Sequence, residues 1–331
     1  MLSWHDSAKK TGGVKAKEDT DHILLNLGFK KIDSPKNKLG KLFFVFLLYP
    51  IILKIKHPDN IVIQFPSGTP ALMNHLLKST KKSATKLILL IHDIESLRIN
   101  SIYSSDYNKE TVQTELDMLQ SADRLIVLND IMKKWLTQQG IKTPMVSLYI
   151  WDYLSTAPLN ILKTFDKSIC FAGNLDKSTF LTTLNIKHGI DVYGPNPQNF
   201  YPNCVKYHGA YSPEKLNTLL TQNFGLVWDG NSCETCSGKF GEYIRYNNPH
   251  KLSLYLSNGI PVIFWKHGAL APFIKKYNVG ILIEDLSEID SLLENLSTEE
   301  YQTIKNNALV LSEKLRSGYF LESALKKLDI I

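Results

Sequence analysis
One rhythm constrains this chain more than any other feature: short apolar runs, each ending in glycine or a polar turn former, alternate with helical segments. In the first half, residues 60–65 run into Pro66-Ser67-Gly68-Thr69-Pro70, residues 86–91 into His92-Asp93-Ile94-Glu95, and residues 124–128 into Asn129-Asp130. Helical periodicity over 71–78, 110–121 and 131–139, the last closed by Gly140, separates them. Residues 149–162 lack a clear period and hold Pro158, which reads as a connection between domains. The rhythm then restarts: 168–172 meets Gly173-Asn174-Leu175, 190–193 meets Gly194-Pro195, 205–208 meets Gly209-Ala210-Tyr211, and 224–228 meets Asp229-Gly230. Alternating strand and helix gives parallel sheets with right-handed crossovers, an α/β chain. With 331 residues, more than one ordinary core is needed, so two domains are expected.

In such sheets a ligand sits outside the carboxyl ends of the strands. That places His92 and Asp93 where a crevice should be. A second pointer lies in 224–265, read as a buried strand, a long polar glycine-rich loop, a helix opening on a basic residue and another buried strand. Asn248 is expected to cap this helix, with Pro249 at its first position and Lys251 in its first turn. A cation beside unpaired backbone N–H groups suits an anion such as a pyrophosphate. Neither a G-x-G-x-x-G nor a Walker A pattern occurs, which weighs against a dinucleotide dehydrogenase or a P-loop enzyme.

The amino terminus has the same flavour on a smaller scale. Residues 1–6 hardly make a strand, but 7–13 reads as a loop opening a helix over 14–27. Ile23, Leu24 and Leu27 form its apolar face and Gly28 stops it. Gly12 and Gly13 would let backbone approach a ligand closely. The most hydrophobic stretch, 39–55, is too short to span a bilayer and is interrupted by Lys41 and Pro50. It is expected as a helix buried against the sheet, or, with Lys36, Lys38, Lys41, Lys54 and Lys56 flanking it, as one lying in a membrane interface.

Composition narrows the partners. A net charge of +6 is mild over this length and no basic, aromatic-studded strip occurs, so nucleic acid is not an expected partner. Four cysteines and a polar start without an apolar leader are expected of a cytoplasmic protein. Cys233 and Cys236 form a C-x-x-C, but Cys170 and Cys204 stand apart at no metal-like spacing, so loop cysteines are expected and no metal site.

These residues also carry a resemblance. The run Gly225-Leu226-Val227-Trp228-Asp229-Gly230, then Glu234-Thr235-Cys236-Ser237-Gly238, Asn248-Pro249-His250-Lys251 and Ser253-Leu254-Tyr255-Leu256-Ser257 resembles the bacterial β-1,6-galactofuranosyltransferases of O-antigen and capsule assembly. His92-Asp93-Ile94-Glu95 with Leu97-Arg98, and Ala172-Gly173-Asn174-Leu175, resemble the same proteins. The chain is more distantly similar to the streptococcal glucosyltransferase that extends GlcNAc on serine-rich adhesins.

The resemblance implies a GT-B fold: two Rossmann-like domains with parallel sheets facing across a cleft, over 1–155 and 156–315, and a C-terminal helix over 316–331 crossing back onto the first. It implies a UDP-sugar donor held by Gly173, Asn174, Lys177, Tyr211 and the helix start at Pro249, His250, Lys251, Leu252, Ser253 and Leu254, with Gly12 and Gly13 approaching from the first domain. It implies no cofactor and no metal. Leu254 departs from the pattern, because many GT-B enzymes place there a glutamate that binds the ribose diol; backbone or Ser253 would then take that role.

The expected reaction is inverting transfer of galactofuranose from UDP-galactofuranose to a sugar hydroxyl of a lipid-linked oligosaccharide at the inner membrane face. Asp93 is the first choice of base, His92 the second, and Glu234 or Asp229 the third, with Asp229 alternatively positioning the sugar. A glucosyltransferase acting on a glycosylated adhesin and a non-catalytic nucleotide-sugar-binding partner subunit are the rival readings. A homo-oligomer is compatible with all three.

Overall fold
The computed structural model describes residues 1–4, 12–98, 108–159, 161 and 164–331. They form two compact units. The first holds the N-terminal strand, residues 17–148 and residues 321–331; the second holds 149–320 and the opening of the first helix up to Ala16.

In the first unit the order is β1 (Leu2–Ser3), α1 (Gly12–Asn26), β2 (Ile32–Asp33), α2 (Lys38–Phe43), a π-helical turn Phe44–Leu48, α3 (Tyr49–Lys56), β3 (Asn60–Phe65), α4 (Pro70–Lys82), β4 (Lys86–Ile91), α5 (Glu95–Arg98), α6 (Lys109–Gln120), β5 (Arg124–Val127), α7 (Asp130–Gln138) and β6 (Met145–Ser147). Six parallel strands pair in the order β2-β1-β3-β4-β5-β6. Val62 lies opposite Ile88 and Leu89 opposite Leu125. Ile61, Val62, Ile63 and every residue from Leu87 to Ile91 are buried, which is why these strands read as unbroken apolar runs rather than alternating ones. Thr69, Asn108 and Asn129 each cap the helix that follows by accepting from its first-turn N–H groups.

Three details depart from the sequence reading. Residues 1–6 do contribute a strand, and an inner one: Leu2–Ser3 pairs with β2 on one side and β3 on the other. Two residues suffice because Met1 and Ser3 carbonyls accept from Ile32 and Ser34. The short strands β2 and β6 escape periodicity because two or three half-buried residues make no run. The apolar stretch 39–55 is not simply buried against the sheet. Phe44, Val45, Tyr49 and Leu53 are covered, and the opposite stripe faces outward. Of the loop expected over 7–13, residues 7–11 lie outside the described residues; α1 begins at Gly12 and gives way to Gly28 in the left-handed region.

The second unit runs β7 (Ile169–Ala172), two 3-10 turns (Leu175–Lys177 and Thr179–Thr182), β8 (Ile190–Tyr193), β9 (Val205–Tyr207), α8 (Pro213–Leu219), β10 (Phe224–Val227), α9 (Gly238–Tyr243), α10 (His250–Ser257), β11 (Val262–Trp265), α11 (Ala271–Tyr277), β12 (Gly280–Ile283), α12 (Glu288–Asn295) and α13 (Thr298–Ser317); α14 (Tyr319–Lys327) follows, grouped from Leu321 onward with the first unit. Its parallel sheet is ordered β12-β11-β10-β7-β8-β9. Chain direction across the sheet therefore reverses between β7 and β10, the switch point where a doubly wound sheet opens a crevice at its carboxyl edge. The loop expected between β10 and α10 contains the short helix α9.

Helix α10 is fixed against that switch point. The Tyr255 hydroxyl accepts from the Ala172 backbone N–H at 2.6 Å, tying the helix to the last residue of β7. Its ring crosses Gly225 of β10 so closely that a Cβ there would lie 2.3 Å from ring carbons. At the other end of α10, Lys305 and Arg316 of α13 donate to the Gly259 and Ser257 carbonyls at 2.7 and 2.6 Å. Cations at a helix C-terminus complement the dipole and cap carbonyls that lack intrahelical donors. Gly225→Ala should therefore cost about 1–3 kcal/mol in urea unfolding, the usual range for overpacking a tight core; an unchanged midpoint would contradict this packing.

Candidate donor and acceptor sites
Lys251 occupies the switch point of the second unit. Its side chain is 10% exposed, and its ammonium donates to Asp229 Oδ1 at 2.7 Å and to the Trp228 carbonyl at 2.9 Å, both just past the end of β10. It lies 4.2 Å from the centroid of the Phe171 ring in β7. A Cβ on Gly173, just past the end of β7, would sit 3.4 Å from Lys251 Cε and Nζ. So the side chain passes directly over the glycine that ends the other central strand. Lys251 and Tyr255 are four residues apart on one face of α10, and the tether at Tyr255 sets where Lys251 points.

The start of this helix differs from the sequence expectation. Pro249, not Asn248, is the N-cap residue: its ψ of 121° is not helical, and its own side chain makes no capping hydrogen bond. Asn248 is buried one residue further out. Lys251 is thus the second helical residue, and no acidic side chain occupies the first turn. A cation at the positive end of a helix dipole is unfavourable in itself. Asp229 offsets part of that positive charge. The remainder, together with the early N–H groups of α10, favours an anionic ligand.

The neighbouring loops are tightly interlocked. Gly194 has φ 151°, and a Cβ there would fall 1.8 Å from the Gly173 carbonyl oxygen, so only glycine lets the β7 and β8 ends meet. Asn174 caps the first 3-10 turn and accepts from Asn196 at 2.9 Å. Lys177 lies 4.4 Å over the Phe240 ring, and its carbonyl accepts from Gly230. Ser178 Oγ donates to Asp229 at 3.4 Å. Tyr211 is exposed, with its hydroxyl donating to the His208 carbonyl.

At the head of α10, the half-buried His250 packs against Tyr153, ring centroids 5.1 Å apart, with its Nε2 out of solvent. Lys15 donates to the Leu154 carbonyl at 2.8 Å and lies over the Tyr153 ring. Gly12 and Gly13 open the same turn of α1, in the part of that helix grouped with the second unit. Burial, with the Lys15 charge adding to it, holds the His250 imidazole down at about 3. Among the described residues His250 Nε2, Ser253 Oγ and Asn247 Oδ1 are buried without a hydrogen-bond partner. Three orphaned polar atoms around one helix start mark it as built for more than packing. Leu252 and Leu254 are buried.

In the first unit, His92 follows β4 and pairs with Gln64 of β3, Nε2 to Oε1 at 2.6 Å. Gln64 Nε2 donates to Asp21 Oδ1 at 2.8 Å and to the Lys17 carbonyl at 3.2 Å. With its amide nitrogen committed to acceptors, Gln64 must accept from His92 Nε2–H, which leaves Nδ1 as the basic nitrogen of the neutral ring. Asp93 lies 3.6 Å from the Arg98 guanidinium, which also clasps Glu95. Glu115 of α6 accepts from the Glu95 and Ser96 N–H groups and so fixes the start of α5. Sequence reasoning passed over Gln64 and Asp21. The signal was a lone amide inside the apolar strand N-I-V-I-Q-F, which a buried position tolerates only with partners.

Glu234 lies in the loop after β10, exposed, its N–H donating to Ser232 Oγ. Cys233 Sγ contacts the Phe180 carbonyl, Cys236 is buried, and burial pushes both thiols up.

Comparison with known proteins shows the family to which the chain belongs. The N-terminal domain of the glucosyltransferase 3-like family matches residues 3–150, and its C-terminal domain matches residues 169–328. The chain belongs to the glucosyltransferase 3-like family of glycosyltransferases. It is 30% identical to the β-1,6-galactofuranosyltransferase WbbI of Escherichia coli K12, covering 97% of this chain and 95% of that one. It is 27% identical to glucosyltransferase 3 of Streptococcus gordonii, over 83% and 80% of the two chains. Its fold is that of Anabaena HepE, solved with UDP-glucose (TM-score 0.61, 14% identity, 100% and 99% coverage), and of sucrose-phosphate synthase from Thermosynechococcus elongatus (0.60, 15%, 88% and 78%). It is the two-domain GT-B fold, as the sequence resemblance implied.

Within this family member, the neutral His250 has a consequence for acid stability. An unfolded imidazole takes up a proton near pH 6.5, and the native one resists until about pH 3. Stability should fall as pH drops through that window, by up to about 1.4 kcal/mol per pH unit from this group. Unfolding free energy of His250→Phe should decline less steeply than wild type between pH 6.5 and 4; parallel curves would contradict the assignment.

Proposed function
We propose that this glycosyltransferase uses a UDP-sugar and moves galactofuranose to a 6-hydroxyl of a lipid-linked oligosaccharide, inverting the anomeric centre to give a β bond. The observation that carries the donor side is Lys251 at the β7/β10 switch point, on a helix start without an acidic first turn. The likeness to WbbI over nearly the whole chain supports the galactofuranosyl reading.

In this reading the diphosphate lies across Gly173 and the first turn of α10. Ser253 Oγ takes a ribose hydroxyl in place of the glutamate replaced by Leu254. Asn174, Lys177 and Tyr211 line the nucleotide and sugar. Gly12 and Gly13 bring the start of α1 to the same ligand. The acceptor oxygen gives its proton to a base as it bonds to the anomeric carbon, and the bond from that carbon to the β-phosphate oxygen breaks with its electron pair leaving on UDP. Lys251 and the α10 N–H groups meet the charge that develops there, the largest single contribution expected of such a site. No metal or other cofactor takes part.

His92 is the base. Gln64, itself held by Asp21, accepts from the Nε2–H and so leaves Nδ1 as the basic nitrogen of the neutral ring, and Asp93 forms an ion pair with Arg98. Asp229 holds Lys251, and Glu234 has no part in proton transfer. A second reading, glucosyl transfer, has the support of the streptococcal relative.

One assay separates these readings: the protein with a membrane extract and each of UDP-galactofuranose, UDP-galactopyranose and UDP-glucose, the product bond assigned by NMR. Turnover with UDP-galactofuranose and a β-1,6 product is expected. His92→Ala should lose about 10²-fold or more in kcat with UDP affinity kept, and Asp93→Asn should lose less. Turnover of UDP-glucose alone would overturn the sugar assignment, and UDP binding without turnover of any donor would make the chain a binding partner instead.

A further inference from the structure
We infer that the first unit docks on an anionic lipid bilayer through the helical segment 38–56. The segment runs as α2, the π-helical turn and α3, about 28 Å at the usual rise. Its inner stripe is anchored: Phe44, Val45, Tyr49 and Leu53 are buried, and the Tyr49 hydroxyl pairs with Thr80 Oγ1 of α4 at 2.7 Å. Its outer stripe is large and apolar. Leu39 is 80% exposed, Ile55 73% and Phe43 54%, with Leu42, Phe46, Leu47 and Ile51 between them. Leu39, Phe43, Leu47, Ile51 and Ile55 recur every fourth residue, so they form one continuous ridge.

A ridge of this size is uncommon on a surface that faces only water. Its charge says what covers it. Lys36, Lys38, Lys54 and Lys56 are exposed at its two ends, Lys41 is half-buried over Trp4, and no acidic residue occurs from residue 35 to residue 58. Apolar side chains flanked by lysines, without carboxylates, complement a surface of acyl chains under anionic headgroups. Because the inner stripe is committed to α4, the segment lies along the surface and does not cross it. No helix among the described residues is long and apolar enough to span a membrane.

Co-sedimentation of the full chain with phosphatidylcholine vesicles, with and without phosphatidylglycerol, tests this. Wild type should pellet with the phosphatidylglycerol vesicles and be released by salt. Lys38→Gln, Lys54→Gln and Lys56→Gln should each weaken partitioning about fivefold. Combined Leu39→Ser, Phe43→Ser, Leu47→Ser and Ile55→Ser should leave the protein in the supernatant. Because those side chains are exposed, its thermal unfolding should match wild type. Wild type remaining in the supernatant, or pelleting equally with both vesicles, overturns the inference. So does an oligomer, seen by light scattering, that the serine variant dissolves, since the ridge would then cover a second copy.

Discussion
The second unit is arranged around a buried ammonium. Lys251 sits at the positive end of a helix, almost out of solvent, a position that desolvation and the helix dipole both disfavour. It is held there by a carboxylate and a carbonyl from the end of β10, by the Phe171 ring and by a glycine at the end of β7. Such an arrangement persists only where the surroundings fix it. Here the Tyr255 tether, the notch at Gly225 and the two cations at the far end of α10 do so. In the proposed reaction, the cost of holding a cation at this point is offset when a doubly charged leaving group is received without rearrangement.

Much of this was legible in the sequence because it depends on local rules. Apolar runs that stop at glycine or asparagine marked the parallel strands, whereas which of their loops flank the switch point depends on the strand order across the sheet. Position 251 could be placed in a first helical turn from Pro249 alone, although the cap was misassigned by one residue. Proline fixes φ but not ψ, and at Pro249 ψ is extended. Strands of two or three residues could not be read, because nothing in Leu2–Ser3 or Ile32–Asp33 distinguishes them from loop without their neighbours.

What stayed hidden depends on long-range contact. Tyr255 reads as one more apolar helix residue, yet its hydroxyl lies on a strand 83 residues away in sequence. Lys15 reads as a surface cation, yet it closes over Tyr153 beside His250. The hydrogen-bond chain from Asp21 through Gln64 to His92 joins three separate elements. The stretch 39–55 fits either burial or an interface by its sequence, and the structure gives it one covered face and one bare face.

The account stands or falls on where a diphosphate binds. The structure of the complex with UDP measures that directly. The phosphates should lie over Gly173 and the first turn of α10, with a phosphate oxygen within hydrogen-bond distance of Lys251 Nζ. Phosphates bound elsewhere on the chain, with the Lys251–Asp229 pair untouched, would contradict it.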